Sequence, residues 1–126
     1  MRSLFIFLAF ISVLAFGQDA ECDCAKFATG NFYMLVPLEN KIDTLYIVRT
    51  QSEQTEIFGE DYNKKSHVIW LTSCKFILRD FHVNTSKKYH KSDIIVEIIE
   101  TYKDSFIIKA WAPHRKKLLM TVYVQK

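Results

Sequence analysis

Residues 44–81 constrain the fold more than any other stretch of the chain. Leu45, Ile47 and Arg49 alternate with Tyr46, Val48 and Thr50, the period of two that puts neighbouring side chains on opposite faces of a strand. A two-residue turn at Ser52-Glu53 sets Gln51 against Gln54, Thr50 against Thr55, Arg49 against Glu56 and Ile47 against Phe58. This pairing of charged, hydroxyl and apolar groups predicts a hairpin, although Ser-Glu lacks the glycine or asparagine that tight hairpin turns prefer. A charged loop is expected at residues 59–66. Residues 66–71 and 74–83 are extended, as two strands or as one bent strand.

The rest of the chain adds strands to this unit. Residues 27–36 read as a first strand ended by Pro37, which cannot donate to a ladder, and Glu39-Asn40-Lys41 reads as a polar turn. Residues 84–93 are a loop by composition. Three further runs follow at 94–102, 105–112 and 117–125, with turns at Lys103-Asp104 and at residues 113–116. The apolar run 94–99 is ambiguous by periodicity, but its β-branched content favours strand over helix. About eight strands at short spacing predict an all-β fold built as an antiparallel meander. A small up-and-down, calycin-like barrel is favoured over a sandwich.

The first 17 residues differ in composition from the rest. Arg2, an apolar run from Leu4 to Leu14 and a small-x-small ending at Ala15 and Gly17 have the three parts of a secretory signal peptide. The run falls short of the roughly 20 apolar residues that span a bilayer. Removing 17 of the 126 residues leaves 109, enough for one domain, 18–126, with one core. The formal net charge is +3, and Arg2 leaves with the signal, so the mature chain carries +2. So small an excess gives no reason to expect nucleic acid as a partner or stable membrane insertion. The expected location is the periplasm or the extracellular space.

Cysteine use fits export, because an oxidising compartment favours pairing two of Cys22, Cys24 and Cys74. A one-residue spacer makes Cys22 and Cys24 poor partners for each other, so one of them pairs with Cys74. Cys24 is the better choice because it is nearer the first strand, whereas Cys22 lies in the terminus. That bond closes a loop of about 50 residues and contributes roughly 2–4 kcal/mol.

Arg49 and Glu56 form the sharpest constellation, with Trp70 as a neighbour. On an inward face they would anchor the polar end of an apolar ligand through a forked, charge-assisted bond. The competing reading is a structural ion pair on a sheet face. His67, His82, His90 and His114 show no metal-ligand spacing, and Cys22-Asp23-Cys24 binds a soft metal only if both thiols stay reduced. No metal or cofactor is expected. Cys74 as a nucleophile competes with Cys74 in a disulfide, and export favours the disulfide. No phosphate loop, paired-acid signature or Ser-His-Asp order is present, so no catalytic residue is assigned. Lys87-Lys88-Tyr89-His90-Lys91 mixes basic and aromatic residues but reads as a solvated loop.

Cys24-x-x-Phe27-x-x-Gly30-x-Phe32, Tyr46-Ile47-x-Arg49, Gln54-x-Glu56 and Val68-x-Trp70-x-x-x-Cys74-x-Phe76-x-Leu78 together resemble a family of short exported bacterial proteins of unknown function. The resemblance covers Cys24 to about Leu78 and implies a Cys24–Cys74 pair. Members of that family are often labelled DNA topoisomerase IV by automatic transfer. A mature chain of 109 residues has no room for a topoisomerase's tyrosine-bearing domain, clamp and DNA gate, so size and export exclude that label. The expected function is that of a non-enzymatic binding or interaction module of the periplasm or cell envelope. The alternative is a lipocalin-like carrier of a small apolar ligand with a polar anchor. A hollow, polar-lined interior favours the carrier, and a packed interior with free sheet edges favours strand addition to a protein partner.

Overall fold

The computed structural model describes residues 22–126, and the expected signal segment, residues 1–17, lies outside the described residues. Eight strands follow in chain order: β1 (Gly30–Pro37), β2 (Ile42–Arg49), β3 (Glu53–Phe58), β4 (Tyr62–Thr72), β5 (Lys75–Asp80), β6 (Ile94–Thr101), β7 (Ser105–Trp111) and β8 (Leu118–Val124). Each pairs with the next, and β8 returns to β1, so the meander closes into an antiparallel barrel. The all-β, up-and-down barrel expected from the strand spacing is therefore the fold. Alternation explains the wall: Phe32, Ile47, Val68, Phe76, Val96 and Val122, one from each of six strands, are buried in a single core. Closure is uneven along the β1–β8 seam. β1 pairs with β2 over its whole length, but with β8 only at Phe32–Val124 and Tyr33–Tyr123.

The two ends of the barrel are built differently. One carries the β2–β3, β4–β5 and β6–β7 turns and is plugged by a short 3₁₀ helix, Cys24–Phe27. Residues 27–29, expected as the start of the first strand, instead close the plug and lead into β1. Phe27 ends the helix with its ring 4.7 Å from that of Phe106, and Phe106 meets Phe32 edge-on at 5.3 Å. Gly30 turns the chain from plug to strand at φ 141°, and a Cβ there would lie 3.2 Å from the Phe32 ring, so both conformation and space call for glycine. The other end carries the β1–β2, β3–β4 and β7–β8 turns and a long connection, residues 81–93.

Two further differences from the sequence reading have physical causes. β4 begins at Tyr62, inside the expected charged loop, because backbone pairing tolerates solvated side chains. Lys64 and Lys65 stand opposite Glu56 and Thr55 in the ladder, and Lys65 also reaches Glu53 at 3.2 Å. Residues 66–83 form two strands, β4 and β5. They are joined through a tight turn in which the Cys74 N–H donates to Thr72 Oγ1 at 3.1 Å, and a register shift falls between Trp70 and Thr72.

The 81–93 connection has no regular structure, as its composition predicts, but it is held firmly. Arg79 faces outward by parity, yet it is 0% exposed because this loop covers it. Its Nε and Nη2 donate to the two oxygens of Asp93 at 2.9 and 2.7 Å, and Nη1 reaches the carbonyls of Asn84 and Lys87 at 3.2 and 2.6 Å. A forked ion pair with extra backbone acceptors satisfies a guanidinium that burial would otherwise penalise. Burial alone would raise the Asp93 carboxyl. The bonds from Arg79 and from the His90 backbone N–H outweigh it and hold the carboxyl below its ordinary value of 3.8. A carboxyl lowered in the folded state stabilises above its unfolded pKa, and that stability is lost as the pH falls through the lowered value. Asp93→Asn is therefore expected to cost about 3 kcal/mol at neutral pH, measured by urea unfolding, with the difference from wild type shrinking as the pH drops below about 4.

Candidate functional site

Inside the barrel lies a cavity of about 200 Å³, walled mainly by apolar side chains that include Leu45, Phe76, Leu78, Ile108 and Met120, with Arg49, Gln54 and Glu56 as its polar lining. The hairpin that supplies these three is real, but its turn is Gln51-Ser52 rather than Ser52-Glu53. Thr50 N–H donates to the Glu53 carbonyl at 2.9 Å, and the Thr50 hydroxyl accepts from the Glu53 N–H at 3.2 Å. The Thr50 side chain thus helps fix a turn that has neither glycine nor asparagine. Each residue of β3 is consequently displaced by two against β2, so Arg49 stands opposite Gln54, and Ile47 opposite Glu56. A displacement of two preserves parity, which is why all three polar residues still face the cavity.

Arg49 is 5% exposed and does not form the direct pair with Glu56 that the expected register implies. Its Nε donates to Ala28 O at 3.0 Å, Nη2 to Phe27 O at 2.9 Å, and Nη1 to Gln54 Oε1 at 2.9 Å. Gln54 Nε2 donates onward to Glu56 Oε2 at 3.3 Å, so the arginine and the carboxylate are linked through an amide relay. The guanidinium carbon also lies 4.9 Å from the Phe32 ring centre and 4.8 Å from that of Phe76. Both rings offer their π-faces to the charge. Among the described residues no carboxylate lies within 4.0 Å of this cation. Desolvation lowers the Arg49 pKa from its ordinary value to about 10, still well above neutrality, so the charge persists in the interior.

Trp70 is not part of the cavity wall. Its ring packs 4.8 Å from Phe76, and its Nε1–H donates to the Gln51 carbonyl at 3.1 Å, so it pins the β2–β3 turn rather than reaching a ligand. Sequence reasoning missed the partners that hold Arg49 in place: Gln54, the Phe27 and Ala28 carbonyls, and the Phe32 and Phe76 rings. Parity carries a signal for the two phenylalanines and for Gln54, which share the inward face. The two carbonyls had no such signal, because residues 27–29 read as strand.

The plug is fastened to the wall by a Cys24–Cys74 disulfide, with Cα atoms 5.2 Å apart, and Cys22 is free and exposed. Cys74 is thus a bonded sulfur and not a thiolate nucleophile. Among the described residues no three His, Cys, Asp or Glu side chains converge as a metal site would require. No helix among them is long and apolar enough to cross a membrane.

Comparison with family models, curated proteins and solved structures finds no match for this chain. The site must be read from its own geometry.

What the interior offers is one desolvated cation at the plugged end of an apolar cavity, held rigidly enough to orient an anionic group. The disulfide holds the plug whose carbonyls aim that cation. Reduction is expected to lower stability by roughly 2–4 kcal/mol, measured as a drop in the urea midpoint on adding reductant. An unchanged midpoint would show that the plug is held by packing alone.

Proposed function

We propose that this chain is a non-enzymatic binding protein, exported to the periplasm or cell envelope, whose barrel interior takes a small apolar molecule with an acidic head group. The observation that carries the reading is Arg49: a buried cation at the cavity wall whose partners are two carbonyls, one amide and two aromatic rings. A ligand carboxylate would supply the counter-charge that these neutral groups lack, in a setting where water competes weakly. Volume limits the ligand. About 200 Å³ is below the roughly 300–1,000 Å³ of sites for drug-sized molecules, so a short acyl chain suits it better than a long one. Barrels of eight strands are just wide enough to be filled by side chains or to hold one small ligand.

The disulfide supports export, since such bonds persist in oxidising compartments, and the signal-like sequence of residues 1–17 points the same way. Strand addition to a protein partner has less in its favour. Barrel closure takes up the sheet edges that such a partner would need, apart from the splayed part of the β1–β8 seam.

Octanoate and octan-1-ol separate the anchor from the apolar cavity. Titration calorimetry is expected to show octanoate bound roughly tenfold or more tightly than the alcohol, the scale of one charge-assisted hydrogen bond. Arg49→Met should abolish that preference while keeping alcohol binding. Glu56→Gln should tighten octanoate by removing a like charge from the same wall. Equal binding of acid and alcohol by the wild type would reject the anchor.

A further inference from the structure

The unplugged end of the barrel presents a surface that ligand binding inside does not require. Leu38 and Ile42 flank the β1–β2 turn, and Leu118 and Leu119 open β8, so four aliphatic side chains gather at this end, with Ile42 69% and Leu119 65% exposed. Beside them stand two basic loops. Residues 81–93 bring Lys87, Lys88 and Lys91, and the β7–β8 turn brings Arg115, Lys116 and Lys117. The acidic residue on these loops is Asp93, which is buried and taken by Arg79. The other acids near this end lie off the two loops, Glu39 and Asp43 about the β1–β2 turn, Glu60 and Asp61 in the β3–β4 turn and Asp80 at the end of β5, so the loops themselves carry six cations against one buried acid.

The two basic loops face each other across a groove of about 470 Å³ that runs between Lys91 on one and Arg115 and Lys116 on the other. Ile94, Ala110 and Met120 line both this groove and the internal cavity, so the groove adjoins the cavity at this end of the barrel. Tyr89, 69% exposed, and Trp111, with Lys117 Nζ 4.9 Å from its ring centre, add amphipathic aromatics of the type that sit at headgroup depth.

We propose that this end of the barrel docks on an anionic lipid surface, with the six cations of the two loops against headgroup phosphates and Leu118 and Leu119 seated among the lipids. Aliphatic side chains ringed by lysine and arginine fit a membrane surface better than a protein partner of unspecified charge, because bilayer docking adds apolar burial to electrostatic attraction. The cavity then opens toward the phase in which an apolar acid would be dissolved. Docking itself does not depend on what the interior binds.

Flotation of the purified protein with vesicles tests this without any interior ligand. Binding is expected to vesicles of equal phosphatidylglycerol and phosphatidylcholine and not to phosphatidylcholine alone, and to weaken as salt is added. The triple variant Arg115→Ser/Lys116→Ser/Lys117→Ser should bind roughly 100-fold more weakly. Leu118→Ser/Leu119→Ser should lose roughly tenfold or more. All of these positions are exposed, so wild-type thermal unfolding is expected in both variants and serves as the check of fold. No binding to the anionic vesicles, equal binding to both vesicles, or wild-type binding by both variants overturns the proposal. A dimer in size-exclusion chromatography that Leu118→Ser/Leu119→Ser dissociates would give the face to a second copy of the chain and overturn it equally. The octanoate titration is a separate measurement, so loss of the ligand reading and loss of the docking reading give different results.

Discussion

The buried guanidinium of Arg49, on β2, joins four other elements of the molecule. It takes the carbonyls of Phe27 and Ala28 from the plug, the amide of Gln54 from β3, and the ring faces of Phe32 and Phe76 from β1 and β5. The plug in turn is bonded covalently to the β4–β5 turn through Cys24 and Cys74. One end of the barrel is thereby shut by a cation and a disulfide acting on the same short helix. A desolvated charge is costly, and burial lowers the Arg49 pKa to about 10, against the charged form. A charge retained in a cavity wall without a carboxylate counter-ion is the observation on which the proposed ligand anchor rests.

Arg79 provides the comparison within the same chain. It sits on the outer face of β5 and is also removed from water, but Asp93 meets it with two parallel bonds and the 81–93 loop supplies further carbonyls. Its pKa is raised, first through the Asp93 hydrogen bonds, where that of Arg49 is lowered. The two arginines thus have opposite electrostatic characters. One is fully matched and organises a loop, and the other keeps unmatched charge facing an apolar space.

Much of the fold was legible because strand periodicity and turn composition agree along most of the chain. β6, β7 and β8 lie within a residue or two of their expected limits, and the run 94–99 is strand, as its isoleucines and valine favour. The Cys24–Cys74 pair was legible from spacing and resemblance together. What failed shares one cause, the override of local pattern by tertiary contact. Residues 27–29 read as the start of a strand but belong to the plug, which is held by the disulfide and by Arg49. The 51–54 turn moves by one residue because the Thr50 hydroxyl binds Glu53, which breaks the Arg49–Glu56 opposition while leaving the inward face intact. Trp70 lies on the inward face by parity and yet serves the turn. The basic loop does expose its lysine side chains, but nothing in its composition signals that its backbone wraps Arg79.

Whether the interior carries a small acid, as proposed, is decided by native mass spectrometry of the protein purified undenatured from the cells that make it, paired with a denatured run of the same sample. The expected result is a native mass exceeding the denatured mass by that of one small molecule, released as a carboxylic acid and absent from the Arg49→Met variant. Identical native and denatured masses in the wild type, with octanoate failing to add to the apo protein, would contradict it.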